Sequence, residues 1–514
     1  MPSQHPFQRI GIVGAGSMGS QMAIAFADLG LQVSIWDCKT SNIERLMRDL
    51  QADKRNDRIR SFEDIHEFVR SLVADNNKRK LFMFSITHGD PADSVLDMIS
   101  DDLSEGDIVL DGGNEFFRRT EARQRRCAER GVHWIGMGVS GGYQAARRGP
   151  SLSPGGDAET LDLVMPLLQQ YAAKDPQSGQ PCVTRIGPAG AGHFVKMAHN
   201  FIEGGMLSTL AEAWSLMHFG LGLSYDQVAD IFGQWNKEGL LRHTYLLDIG
   251  EQLLRTRKTP EGDRTGEGAG DSSEYVLDEV LDKVVQDDDN SEGTPHWALM
   301  ESAQRHVSTP TNATAHYLRV ASGNRKERLA VAEKLRMASP GLVQEVQDTT
   351  AFLKTLQEAV YCGFLVSFCE GLELIARASQ DEHWDINPAA CLQIWRNGCI
   401  IQSGYILDLL QDGLSGTTDW TNLKLVDGVA DSLHSYVGAL KEIVLQGIRT
   451  DQYIPALSAA LEYLKYTGGT RLPTQFMQGQ MDLFGAHGYN KPGVPGEDPG
   501  PTSKGPHHYE WRPA

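Results

Sequence analysis

Seven cysteines are few for 514 residues, and none falls in a C-x-x-C pair. There is no histidine cluster at zinc-ligand spacing either, so neither a disulfide framework nor a structural zinc site is expected. Cys38, Cys127, Cys182, Cys362, Cys369, Cys391 and Cys399 read as reduced thiols, the pattern of a cytoplasmic protein. Positive charge is also scarce: 48 Lys and Arg stand against 67 Asp and Glu, a formal net charge of -19. That balance argues against a general nucleic-acid binder or a protein drawn to anionic membranes, while leaving room for a small, locally basic pocket. The first nine residues lack the apolar core of a secretory signal, and no apolar run is expected to reach membrane-spanning length. The C-terminal residues form no readable address signal, and no internal repeat is visible. What remains is an ordinary globular composition, long enough for two or three domains.

The N-terminus carries the clearest pattern. Arg9–Val13 is a short apolar strand, followed at once by Gly14, Ala15, Gly16, Ser17, Met18 and Gly19. A helical apolar pattern then runs through Met22, Ala23, Ala25, Phe26 and Leu29, and Gly30 closes it. Gln32–Trp36 is the next strand, with Asp37 at its end, 23 residues beyond Gly14. A lone G-x-G-x-x-G means little, but strand, glycine turn, helix, strand and acid in that order form a dinucleotide fingerprint. Gly14, Gly16 and Gly19 permit the tight turn, and with Ser17 and Met18 they bring backbone N–H groups to a pyrophosphate at the positive end of the helix. A carboxylate at Asp37 accepts from ribose hydroxyls and repels a 2′-phosphate, which leans towards NAD; Lys39 blunts that lean.

Leu81–Ile86, Ile108–Leu110 and His133–Ile135 read as further strands between helical patterns, so a doubly wound parallel sheet is expected over residues 1–188. In such sheets ligands sit at the carboxyl ends of the strands. Asp111–Asn114 and Gly138–Gly142 follow two of them, and Gly149–Gly156 reads as a turn-rich connector. Beyond residue 189 long helical patterns dominate, including Phe201–Gly220, Leu329–Met337, Phe352–Ala378 and Val426–Ile448, the mark of an all-helical domain to about residue 470. Arg255–Ser273 reads as an exposed loop and Asp287–Asp289 as a solvated acidic run. The tail, 471–514, is rich in Gly and Pro; it is not expected to form a core of its own, and is either disordered or laid against another surface.

The chemistry is expected between Gly190 and Glu203. A Gly-rich opening leads into a helix, and at about 100° per residue Lys196, Asn200 and Glu203 share one narrow arc. Phe194, Val195, Met197, Phe201 and Ile202 make the setting apolar, where a lysine and a glutamate need a reason to be present. An amine, an amide and a carboxylate on one face can hold a hydroxy acid and move protons around it. The blander reading, a solvated Lys–Glu pair, sits poorly with those apolar neighbours.

With these stretches the chain resembles the 6-phosphogluconate dehydrogenase family along nearly its whole length. The resemblance is carried by Gly14–Gly19, Asp111–Asn114, Gly138–Gly142 with Gly149–Gly156, Gly190–Glu203, Trp395–Ile401 and Phe484–His487. It implies a homodimer whose tail reaches the partner's active site, and an NAD(P)-dependent oxidative decarboxylation of 6-phosphogluconate to ribulose 5-phosphate and carbon dioxide. It implies Lys196 as general base and Glu203 as the acid that protonates the enediol carbon. Asn200 and His193 would orient the substrate; Ser140, Gly141 and Gly142 would meet its carboxylate. Asn114 would lie between nicotinamide ribose and substrate, Ile86 against the cofactor, and Thr294, Arg305 and His487 in the substrate pocket.

The departures from the family cluster at the phosphates. Asp37, Cys38 and Lys39 stand where Asn, Arg and Thr are usual, and Ile86, Thr87, His88 and Gly89 replace a Val-Lys-Ala-Gly loop. Gly204 replaces a tyrosine, Glu292 a phosphate-binding lysine, for which Lys283 is the nearest substitute, and Met481 a phosphate-binding arginine. Each lost charge-assisted hydrogen bond removes about 1.5–3 kcal/mol. Two alternatives therefore stay open: a paralogue using NAD on a non-phosphorylated 3-hydroxy acid, and a non-catalytic cofactor-binding dimer.

Overall fold

The computed structural model describes residues 6–50, 57–73, 79–258, 274–285, 293–343, 348–416 and 419–512. Most of the Arg255–Ser273 stretch, the Asp287–Asp289 run and Glu292 lie outside the described residues. The chain forms two compact units, 1–461 and 462–514.

The first unit opens with a seven-stranded sheet: β1 (Arg9–Val13), β2 (Gln32–Trp36), β3 (Ile59–Phe62), β4 (Leu81–Phe84), β5 (Ile108–Asp111), β6 (His133–Ser140) and β7 (Ser151–Gly155), ordered 3-2-1-4-5-6-7. β1 to β6 pair in parallel, as the doubly wound reading expects, while β7 runs antiparallel to β6 with Ser140 opposite Ser151. β7 corrects the connector reading of Gly149–Gly156. All five of its residues are buried, and Pro154, which cannot donate to a ladder, is tolerated on this last strand. Strand order reverses between β1 and β4, so the ligand crevice opens at the carboxyl ends of those two strands. Ile10, Ile12, Val33, Ile35, Leu81, Met83, Ile108 and Leu110 form one face of the core with the Ser17–Asp28 helix.

The Ala191–Ser215 helix then crosses under the sheet. It is buried along most of its length, with Phe194, Val195, Met197, Phe201 and Ile202 at most 1% exposed and His193, Lys196 and His199 buried among them. Gly192 makes the crossing possible: a Cβ there would fall 2.4 Å from the carbonyls of both Gly136 and Ser153. The expected boundary at residues 188 and 189 is thus a change of architecture within one packed unit. Beyond it the chain is helical, as expected, and the Thr349–Asp381 helix packs along the Ala191–Ser215 helix, with Ile202 against Gly371. The Thr349–Asp381 helix also corrects an expectation, because by length and apolarity it is sufficient to cross a membrane; that apolar window is wholly buried inside the protein.

Of the two alternatives expected for the tail, disordered or laid against another surface, the second unit departs from the first. Its described residues form no apolar core, yet Asp482 of the Thr474–Gly485 helix is fully buried by its neighbours. Its carboxylate accepts from the N–H groups of Gly488 and Tyr509, from Trp511 Nε1 at 2.8 Å and from His508 Nδ1 at 3.0 Å. Tyr489 and His507 exchange backbone hydrogen bonds, and Glu497 pairs with the His507 ring at 2.9 Å. Composition predicts disorder where apolar burial is small; here one buried carboxylate organises the segment instead.

Candidate active site

Three residues of one helix face converge where the sequence places them. Lys196 is 7% exposed, and its Nζ donates to Asn200 Oδ1 at 2.9 Å and to Ser140 Oγ at 3.1 Å. Ser140 ends β6, so the amine of the buried helix meets the carboxyl edge of the sheet. Gly138 lets the two approach: a Cβ there would lie 2.3 Å from Lys196 Cβ and 2.4 Å from Ser153 Oγ. Asn200 Nδ2 donates to Thr294 Oγ1 at 2.8 Å, which draws the first residue of the Thr294–Gln304 helix into the site. Glu203, one turn further on, remains partly exposed at the mouth.

His199 belongs to this cluster and is not among the residues that sequence reasoning singles out. Its Nδ1–H donates to Asn200 Oδ1 at 2.9 Å and lies 3.8 Å from Glu203, while its buried Nε2 has no hydrogen-bond partner among the described residues. Burial, and then the Lys196 ammonium, push the imidazole well below its ordinary range, so it is neutral near pH 7 with an Nε2 lone pair available to a hydroxyl. A signal for it exists, since Lys196, His199, Asn200 and Glu203 follow the i, i+3, i+4, i+7 pattern.

Two residues expected at the substrate serve elsewhere. His193 accepts from the Thr120 hydroxyl at Nδ1 (2.6 Å) and donates from Nε2 to the Asp111 carbonyl at 3.1 Å, so both ring nitrogens are used, one on the Phe117–Ala128 helix and one on β5. It is 1% exposed and has no nitrogen left for a ligand. Arg305 is bound by three carboxylates, Glu301 at 2.8 Å, Asp381 at 2.8 Å and Glu382 at 2.7 Å, and clamps two helices together. A guanidinium so occupied is a poor ligand for a phosphate.

The other expected residues are spread over both units. Gly141 and Gly142 follow Ser140 at φ +96° and +69°; nothing lies within 4 Å of a Cβ at Gly142, so its backbone faces open space. Asn114 follows β5 and is half-buried. His487 lies in the second unit, exposed beside Phe484, and Met481 sits on the helix before it. Lys283 is exposed. Where the family's tyrosine gives way to Gly204, a small cavity opens, lined by Phe201, Gly204, Pro295, Asn312, His316 and Arg319. Arg319 and His316 are basic groups that sequence reasoning does not select, because nothing local marks them.

The cofactor end is built from backbone. Gly14 takes φ +99° in contact with Ser85 and Ile86, and Gly19 packs on the Gly14 carbonyl. Gly16 is the N-cap of the next helix without a side-chain cap, and a Cβ on it would meet nothing within 4 Å. The N–H groups of Ser17, Met18 and Gly19 thus open that helix towards unfilled space, a cradle fitted to a diphosphate. Asp37 Oδ2 accepts from Ala15 N–H at 2.7 Å and Asn42 Nδ2 at 3.0 Å, and Oδ1 from Lys39 N–H at 2.7 Å. The acid therefore braces the glycine turn as well as lining the crevice. Lys39 is exposed beside it.

Comparison with known proteins follows the same division. The model described as NAD binding domain of 6-phosphogluconate dehydrogenase matches residues 9–187, and the one described as 6-phosphogluconate dehydrogenase, C-terminal domain, matches residues 192–511. The decarboxylating 6-phosphogluconate dehydrogenase of Emericella nidulans is 64% identical over 497 residues, covering 97% of this chain and 100% of that protein. The Escherichia coli protein of the same name is 33% identical over 504 residues, covering 98% and 99%. Among solved structures, Plasmodium falciparum 6-phosphogluconate dehydrogenase, described in its apo form, with its cofactor NADP+ and with its substrate 6-phosphogluconate, matches with a TM-score of 0.84 at 27% identity, over 98% of this chain and all of that one.

Proposed function

The chain belongs to the 6-phosphogluconate dehydrogenase family, and from that premise we propose how its residues carry out the NAD(P)-dependent oxidative decarboxylation of 6-phosphogluconate to ribulose 5-phosphate and carbon dioxide. The observation that carries the reading is the Lys196 amine held between Ser140 and Asn200 at the carboxyl edge of a dinucleotide-type sheet. A nicotinamide dinucleotide held by the Gly14–Gly19 turn and Asp37 would supply the acceptor for the C3 hydride. Lys196 takes the C3 hydroxyl proton as that hydride leaves, and the C3 carbonyl forms. The C1–C2 bond then breaks, with its electron pair passing to C2 and carbon dioxide departing. Glu203 returns a proton to the resulting enediol carbon. Asn200 fixes the amine through Oδ1 while Thr294 fixes Asn200, and His199 Nε2 accepts from a substrate hydroxyl.

The finer assignments form part of the same proposal. Ser140, Gly141, Gly142 and Asn114 meet the carboxylate end of the sugar acid. The phosphate end of the substrate lies towards Arg319 and His316, the basic groups beside Gly204. Asp37 favours NAD, because a carboxylate at the ribose edge repels a 2′-phosphate. The protein acts as a homodimer: Leu329, Leu335, Met337 and Leu342 are 54–66% exposed in one short stretch, an apolar surface of the kind that partners cover. In that dimer His487 is offered to the partner's site. Seven free thiols, six of them buried, suit the cytoplasm.

The test is a steady-state assay of 6-phosphogluconate and gluconate, each with NAD and NADP, following reduced nicotinamide and released carbon dioxide. The expected result is turnover of 6-phosphogluconate with kcat/KM at least about a hundredfold above gluconate, the scale of two charge-assisted hydrogen bonds. Gluconate as the better substrate would overturn the phosphate assignment. Asp37→Asn should move the preference towards NADP, and an unchanged ratio would remove Asp37 as the discriminating residue.

A further inference from the structure

The loops that follow β4 and β5 are joined by buried charge that the chemistry above does not use. Glu115, 3% exposed, accepts the Gly89 N–H at 2.9 Å through Oε2 and the Phe116 N–H at 2.8 Å through Oε1. Arg123, 2% exposed, donates to the same Glu115 Oε2 at 2.6 Å and to the Gly89 carbonyl at 2.8 Å. Its Nε and second amine fork onto Asp93 at 2.9 and 2.8 Å. Gly89 is therefore gripped through both its N–H and its carbonyl, at a φ of +82° that favours glycine. Asp111, at the end of β5, lies 3.6 Å from Arg123, and its carbonyl receives His193 of the catalytic helix.

A buried ion cluster rarely adds net stability over apolar packing of the same volume, because desolvating the charges offsets their attraction. What it does supply is a defined geometry, and this one lies at the crevice. His88 in the first loop and Phe116 in the second both contact the Trp297 ring, at 5.2 and 5.6 Å between centroids. Trp297 is on the helix whose first residue, Thr294, holds Asn200.

We propose that Arg123 and Glu115 are positioning residues for the dinucleotide, locking the loop after β4 to the loop after β5 through Gly89 and Asp111 without touching the ligand. The proposal rests on the NAD(P) reading of the crevice. The test compares Glu115→Gln and Asp93→Asn in the full chain, measuring KM for dinucleotide and for 6-phosphogluconate, kcat and melting temperature. Glu115→Gln should raise the dinucleotide KM by about ten- to a hundredfold, the effect of loosening a site by roughly an ångström, and leave the sugar-acid KM nearly unchanged. Asp93→Asn, at the partly exposed end of the cluster, should shift the same constant by less and in the same direction; it decides alone if the first variant does not fold. An unchanged dinucleotide KM in the folded variants overturns the proposal. So does a fall in kcat and a rise in both KM values in step with a lowered melting temperature, which would make the cluster a general support. A wild-type protein that used neither dinucleotide would refute the cofactor reading instead, so the two failures are distinct.

Discussion

Lys196 and Arg305 are basic side chains of nearly equal burial, 7% and 6% exposed, but their hydrogen-bond acceptors differ in kind. Lys196 donates to the Ser140 hydroxyl and the Asn200 amide, both neutral oxygens. Arg305 is bound by Glu301, Asp381 and Glu382. Neutral acceptors hold an amine in place and aim it at the crevice, the placement a general base needs. Three carboxylates do the reverse, committing a guanidinium to its charge and its place. Burial alone does not separate a candidate base from a structural cation; the groups each donates to help to.

The contrast is broken first at Lys196. Lys196→Ala should lower kcat by about 10²–10⁴-fold, the range for a lost general base, with dinucleotide binding intact by fluorescence titration. Appreciable residual oxidation would remove Lys196 from that role. Gly138→Ala reaches the same amine indirectly: its methyl group would fall 2.3 Å from Lys196 Cβ, and backbone and side chain must shift. Turnover should drop about a hundredfold with a stability loss of about 1–3 kcal/mol from overpacking. Normal kcat in this variant would show that the position of the amine tolerates the shift.

Arg305→Ala should act on the other side of the comparison. It strands Glu301, itself nearly buried, and should destabilise the fold by about 3–5 kcal/mol. Denaturant unfolding reads that loss, while kcat of the folded fraction should stay close to wild type. A specific rise in the 6-phosphogluconate KM would return Arg305 to the substrate site.

The smallest effect concerns Glu212, a buried acid on the same helix as Lys196. Its carboxylate accepts from the N–H groups of Ala456 and Leu457 and from the Ser208 hydroxyl. Burial pushes it up to about 7, against the lowering effect of those hydrogen bonds. The folded state then retains a proton that the unfolded chain has lost, so stability should fall as pH rises from the ordinary glutamate range to about 7, and level off above it. Over that window the loss should be on the order of 3 kcal/mol at most. Unfolding of Glu212→Gln followed across the same pH range should lack that slope; an unchanged slope would assign it to another group, of which Glu370, pushed up to about 8 by burial, is the first candidate.

Much of the site is legible in the sequence because its signals are local. The glycine turn, the strand before it and Asp37 after it lie within one βαβ unit, whose hydrogen bonding and periodicity are set by near neighbours. Lys196, Asn200 and Glu203 likewise follow from helical spacing. The same local reasoning misses β7, because Gly149, Pro150, Pro154 and Gly155 read as turns; only pairing with β6 makes that stretch a strand. It also misjudges the tail, where Asp482 gathers partners from six to 29 residues further along the chain.

What the sequence determined by itself is the class of sheet, the dinucleotide turn and the stripe of candidate catalytic side chains, since each follows from periodicity over a few turns of backbone. Tertiary structure alone decided which polar groups are left for a ligand. His193 and Arg305 lose that capacity to Asp111 and to three carboxylates, two of them distant in the chain. His199 keeps a nitrogen lone pair, and Gly204 opens a cavity beside Arg319. The physical reason is that a buried polar atom is either satisfied or left for a ligand depending on what long-range packing brings against it, and no local pattern records that partner.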